Sequence, residues 1–221
     1  MSDRPTVRVR GEAIVEAEPE IARLTVHVQS QETDRRKALD RLTEQNRRCL
    51  DLIRSYGEAV EELETGGLSI MPVLRGGRRE GSVRGYRGTV QIRITVADFG
   101  VLGELVTRLG DLERAYVDGP EWRLRRDSEV YRRAAQQAAR EAVERARGYA
   151  EALGSRLTGL VELSDEGLGR PQEPPVALAA ASYGAPASGE PEPIDLEPAT
   201  QVVRAAVEAR FTVSPPDLEQ R

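Results

Sequence analysis

One cysteine, Cys49, and one histidine, His27, are all that the 221 residues contain of either type. A lone thiol excludes an internal disulfide and any cysteine-based metal cluster. A lone histidine excludes a histidine-rich metal site within the chain. Aromatic residues make up only 4%, so the core has to be built from Val, Leu, Ile and Ala. No segment approaches the roughly 20 apolar residues of a membrane span. The opening, MSDRPTVRVRGEA, has no apolar run either, which argues against an ordinary signal peptide and for a cytoplasmic protein. Lysine is nearly missing as well: of 32 basic residues only Lys37 is not arginine. Such a bias reads as composition rather than phosphate chemistry. The net charge is -5, whereas a dedicated nucleic-acid binder is basic overall or across a large patch.

What the chain does have is charge, 31% of its residues, laid out periodically. Val7, Val9, Gly11, Ala13, Val15 and Ala17 alternate with Arg8, Arg10, Glu12 and Glu16, the period of a strand with one wet face. Pro19 and Glu20 interrupt it before a second strand through Leu24, Val26 and Val28. Thr33 or Asp34 then caps a helix carrying Ala38, Leu39, Leu42, Cys49, Leu52 and Ile53, with Gly57 at its end. Val60, Leu63, Leu68, Ile70 and Val73 read as one long strand, bulged around Gly66 and Gly67. Val90 to Val96 is the clearest strand of all. Asp98 caps a short helix through Leu109, and a strand follows around 116–125. A long helix runs from about Ser128 to Leu153 and stops at Gly154. Residues 157–163 read as a further strand.

Seven prolines fall in residues 167–200, which marks a loop or arm rather than another domain. Val203 to Val213 alternate again, and a strand after such an arm has to return to a sheet formed earlier. The expectation is therefore an α+β fold, an antiparallel or mixed sheet with three helices packed on it. It occupies one domain, 5–214, in one or two lobes, with a tail at 215–221.

The order of these elements, with VRVRGEAIVEAEPEIARLTVHV at the start, resembles the SIMPL-domain family, also called DUF541 or YggE-like proteins. ETGGLSIMPV with Thr65 and Pro72, the Gly85-Tyr86 pair before TVQIRITVAD, the alanine-rich helix ending in Leu153-Gly154, and EPATQVVRAAVEARFTV carry the rest of the likeness. Glu20 stands where the family usually has aspartate, and Ala199 where a glycine is frequent. The resemblance implies a non-enzymatic α+β domain that forms homo-oligomers, with indirect links to stress and the cell envelope. Many relatives are periplasmic.

The segment LRGGRREGSVRGYRG, residues 74–88, is the one stretch that looks like a basic grip. Arg78, Arg79, Arg84 and Tyr86 are its candidate interaction residues, and a nucleic-acid site on a basic hairpin at 75–87 is one reading. Its flanks favour the other, a hairpin turn between two strands. His27 reads as a surface or inter-subunit histidine, Cys49 as a small core residue. Acidic pairs such as Glu61-Glu62 and Asp165-Glu166 read as solvated charge. Ala134, Ala138, Ala142, Ala146 and Ala150 form a four-residue stripe suited to close packing on a sheet, or to a subunit contact. No catalytic, cofactor or metal residues are expected. The partners expected are copies of the chain or an unidentified protein; the alternative is an enzyme or small-ligand binder with an unrecognised site.

Overall fold

The computed structural model describes residues 5–74, 83–165 and 193–217. Ten regular elements follow in order: β1 (Thr6–Ala17), β2 (Ile21–Glu32), α1 (Arg35–Arg54), β3 (Val60–Leu74), β4 (Val83–Val96), α2 (Leu102–Gly110), β5 (Ala115–Arg123), α3 (Glu129–Ala152), β6 (Leu157–Asp165) and β7 (Gln201–Val213). The fold is α+β, with three α-helices and two antiparallel sheets. This is the α+β architecture of helices on antiparallel sheet expected from the sequence; local periodicity marks strands but is silent on which strands pair.

The helix starts follow their caps. Asp34 Oδ1 accepts the Lys37 N–H at 3.0 Å, and Ser128 Oγ accepts that of Val130 at 3.3 Å. Asp98 caps as expected, at a 3-10 turn (Phe99–Val101) that leads into α2. α1 stops at its cap, Ser55, short of Gly57, whose φ of 56° serves the turn that follows. Gly154 leaves α3 at φ 64°, a left-handed backbone that glycine adopts without strain.

The chain divides into two compact units. In one, the sheet has the order β1-β7-β6 and α3 packs on it. β1 and β7 pair without a break, Val9 opposite Ala209 and Ala13 opposite Ala205. The alternating face read from the sequence is the buried one, and Ala138, Ala142 and Ala146 lie fully buried against it. Gly11 makes that approach feasible. A Cβ placed there would sit 2.1 Å from the Ala138 carbonyl oxygen and 2.5 Å from the Ala142 nitrogen.

The other unit has the sheet order β3-β4-β2-β5. Leu24, Val26, Val28, Val90, Ile92, Ile94 and Val96 form one buried face under α1 and α2, meeting Leu42, Cys49, Ile53, Leu102, Leu105 and Leu109. Each such side chain contributes about 1.5–3 kcal/mol on leaving water. The bulge expected at Gly66 and Gly67 lies between Thr65 and Gly67 in the β3–β4 register. Residues 193–199 also belong here, laid along α2 with Leu196 against the core.

Candidate functional site

Of the four residues proposed for the basic hairpin, Arg78 and Arg79 lie outside the described residues, as does the turn itself. Leu74 pairs with Val83, so β3 and β4 run antiparallel up to the two ends of residues 75–82. Arg84 is exposed and Tyr86 half-buried. Tyr86 is held in register between Glu32 on β2 and Pro72 on β3. The glycines around it have packing reasons. A Cβ on Gly85 would meet the Glu32 carbonyl oxygen at 2.7 Å, and one on Gly88 would meet Ser30 Oγ at 2.7 Å.

Many arginines elsewhere pair with neighbouring acids. Arg41 reaches Glu113 at 2.6 Å, Arg10 reaches Glu12 at 2.7 Å, Arg145 reaches Glu141 at 2.5 Å, and Arg8 and Arg125 bind Glu208 and Glu61. Of the acid pair read as solvated, both members have partners, because Glu62 Oε2 also accepts the Thr95 hydroxyl at 2.9 Å.

His27 occupies the face of its sheet away from α1. Its Nε2 lies 3.0 Å from Asp118 Oδ2, and its ring stacks on Tyr116 with centroids 4.5 Å apart and planes 3° from parallel. Tyr116 is the cross-strand partner of His27, and Asp118 pairs with Thr25, two residues along the same unbroken stretch of register. An imidazole oriented by a carboxylate is two-thirds of a hydrolytic triad. Among the described residues no hydroxyl or thiol is hydrogen-bonded to His27. Sequence reading placed His27 on the exposed face but missed Asp118 and Tyr116, whose arrival depends on the β2–β5 register.

Cys49 is fully buried in the α1 core, and desolvation pushes its thiol up to about 12. At pH 8 about one molecule in ten thousand would then carry a thiolate, and the thiolate is the reactive form. A disulfide reagent such as DTNB is expected to label the native protein at the rate of global unfolding, with prompt labelling only in denaturant. Fast labelling of the native protein would contradict this burial.

Tyr56, Glu104 and Arg108 tie the end of α1 to α2. The tyrosine hydroxyl donates to Glu104 Oε1 at 3.0 Å, and the guanidinium lies 5.6 Å from the tyrosine ring centroid. Burial, and secondarily the Glu104 bond, raises the tyrosine's pKa. Nearby, Val28, Gln45, Arg48, Leu112, Glu113 and Ala115 line a cavity of about 40 Å³. That is room for a few waters, not for a substrate, whose pockets run to about 300–1,000 Å³. Gln45 Nε2 reaches the Glu113 carbonyl at 3.4 Å, and its buried Oε1 has no hydrogen-bond partner. Among the described residues no group of three His, Cys, Asp or Glu side chains could hold a metal ion, and no helix is long and apolar enough to cross a membrane.

These units define an α+β protein whose described ion pairs lie mostly within single elements, as in Arg108–Glu104 and Arg145–Glu141, with a few, such as Arg41–Glu113, joining neighbouring ones. The chain belongs to the SIMPL family, described as a protein of unknown function (DUF541), whose model matches residues 7–211. It is similar to the 26 kDa periplasmic immunogenic protein of Brucella melitensis biotype 1, 28% identical over 192 residues, covering 80% of this chain and 73% of that one. The protein of the same name from Brucella abortus strain S19 matches with the same identity and coverage. Those names place the relatives in the periplasm, at odds with the cytoplasmic expectation drawn from the opening residues.

Proposed function

We propose that this protein is a non-enzymatic domain that works by assembling with copies of itself. The observation that carries this reading is the outer edge of the β1-β7-β6 sheet. Leu160 and Leu163 of β6 stand opposite Phe211 and Ala209, which α3 covers, yet they are themselves 58% and 51% exposed. Val161 between them is 52% exposed. The apolar face therefore runs on from a covered strand to an uncovered one. Among the described residues its outer backbone edge also pairs with no strand, the combination that invites another one. On the opposite edge, by contrast, the Glu12 N–H of β1 is occupied by Glu141 Oε2 at 2.9 Å. The periplasmic names of the Brucella relatives support the envelope, rather than the cytoplasm, as the place of work.

The test uses native protein. Osmotic shock of the source cells should release it, and sedimentation at micromolar concentration should show an oligomer. Leu160→Arg with Leu163→Arg is expected to weaken association at least tenfold with circular dichroism unchanged. A clean wild-type monomer sinks the assembly reading, and retention in the shocked cells sinks the envelope one.

A further inference from the structure

Gly103 and Thr107 lie one turn apart on α2, and both face the backbone of residue 194. A Cβ on Gly103 would sit 2.3 Å from the Ile194 carbonyl oxygen and 3.4 Å from its carbonyl carbon. Thr107 Oγ1 accepts the Ile194 N–H at 3.3 Å while donating its own proton to the Gly103 carbonyl at 2.9 Å. The two contacts read the main chain of residue 194 from both sides, the carbonyl against a missing side chain and the N–H on a hydroxyl. Leu196, two residues on, turns into the core cluster that also holds Leu102, Leu105 and Leu109. Thus α2 presents a groove that takes an extended segment by its backbone and by one apolar side chain.

The occupant is held lightly. Residues 193–200 join neither sheet, Ile194 keeps 52% of its surface in water, and the Thr107 contact is long for a hydrogen bond. Segments with few buried contacts and no ladder pairing open locally at low free energy, without unfolding the domain. The groove itself rests on α2, whose three leucines are fully buried. Receptor and occupant therefore differ in stability.

We propose that the α2 groove is a peptide-docking site, occupied in cis by Ile194–Leu196 as a detachable strap. The ligand it takes from outside is an extended peptide with a leucine two residues after the backbone-held position, as in the strap. A tethered occupant acts at an effective concentration in the millimolar range. A micromolar peptide ligand therefore competes poorly until the strap is released. The inference is independent of assembly through β6, since it concerns only residues of the other unit.

Two measurements test it. In Gly103→Ala, hydrogen exchange at the Ile194 amide, whose N–H Thr107 accepts, is expected to quicken at least tenfold. The β2 and β4 amides should be unchanged and α2 no less helical, because alanine is the better helix former. Unchanged exchange at the strap would overturn the seating. In Leu196→Asp the strap is released, and a fluorescent peptide of residues 191–199, PEPIDLEPA, should bind with a Kd below about 1 mM. Binding should be at least tenfold weaker to wild type and absent in Leu196→Asp with Gly103→Ala. If Leu196→Asp does not fold, Leu196→Ser replaces it. No saturable binding to the released strap variant overturns the docking site.

Discussion

Gly11→Ala is expected to destabilise the protein by about 3 kcal/mol, and Gly11→Val by about 5, near the top of what single substitutions do. An added side chain in mid-strand would ordinarily help, because glycine costs roughly 0.5–1 kcal/mol there through chain entropy. Here the sign reverses, and the distances say why. The new Cβ meets the Ala138 carbonyl oxygen at 2.1 Å, the Ala142 nitrogen at 2.5 Å and the Ala142 Cβ at 2.7 Å. Two of those are backbone atoms of α3 and the third is a Cβ fixed to them, so no rotamer change relieves the clash. The helix has to lift, and the alanine stripe that it buries is then uncovered along its length. Hydrogen exchange should show protection lost across α3 and β1. Wild-type protection in Gly11→Val would refute the close approach.

The same variant bears on domain organisation. The only tryptophan, Trp122, packs edge-on against Phe99 at 4.9 Å in the unit that does not contain Gly11. If 5–214 is one cooperative domain, the denaturant midpoint read by Trp122 falls together with that of α3. A Trp122 midpoint at the wild-type value would make the units separate domains.

What could be read from the sequence divides by range. β1 was legible to within one residue because the alternation of Val9, Gly11, Ala13 and Val15 with charge is local. Asp34, Asp98 and Ser128 each announce a helix within three residues. The alanine stripe was legible as a packing surface, and the structure buries it on a sheet of its own chain. Gly11 was placed on the correct face, but its particular role was not visible, since that depends on where Ala138 and Ala142 arrive from far along the chain. β6 was read as a strand, yet a central and an edge strand have the same local pattern, so the exposure of Leu160 and Leu163 could not be foreseen. The partners of His27 were hidden because Tyr116 and Asp118 reach it only through the β2–β5 pairing, which local periodicity does not specify. The strap was assigned to a proline-rich arm, where Ile194 and Leu196 gave too short an apolar pattern to stand out.

The second large effect lies under α1. Leu42→Ala should cost about 3 kcal/mol, the transfer of a fully buried side chain plus the cavity it leaves. A neighbour offers partial repair. Gly88 on β4 faces Leu42, and a Cβ added to it would lie 2.9 Å from Leu42 Cδ2 and 2.7 Å from Ser30 Oγ. Unlike the atoms that crowd Gly11, both are ends of side chains. Gly88→Ala alone is therefore expected to cost about 1 kcal/mol, the mild end of overpacking. With Leu42 cut back to alanine, Cδ2 is gone and the new methyl enters the space it vacated. Ser30 still donates to the Ala38 carbonyl at 2.7 Å, so the serine part of the crowding stays. The double variant should thus lose less than the sum of the single losses, by at least about 0.5 kcal/mol, the coupling of residues that share a cavity. Urea unfolding followed at Trp122, in the same unit, measures all four corners of the cycle. Strict additivity would mean that Leu42 and Gly88 do not compete for the same space, and that α1 rests on the sheet at a different height.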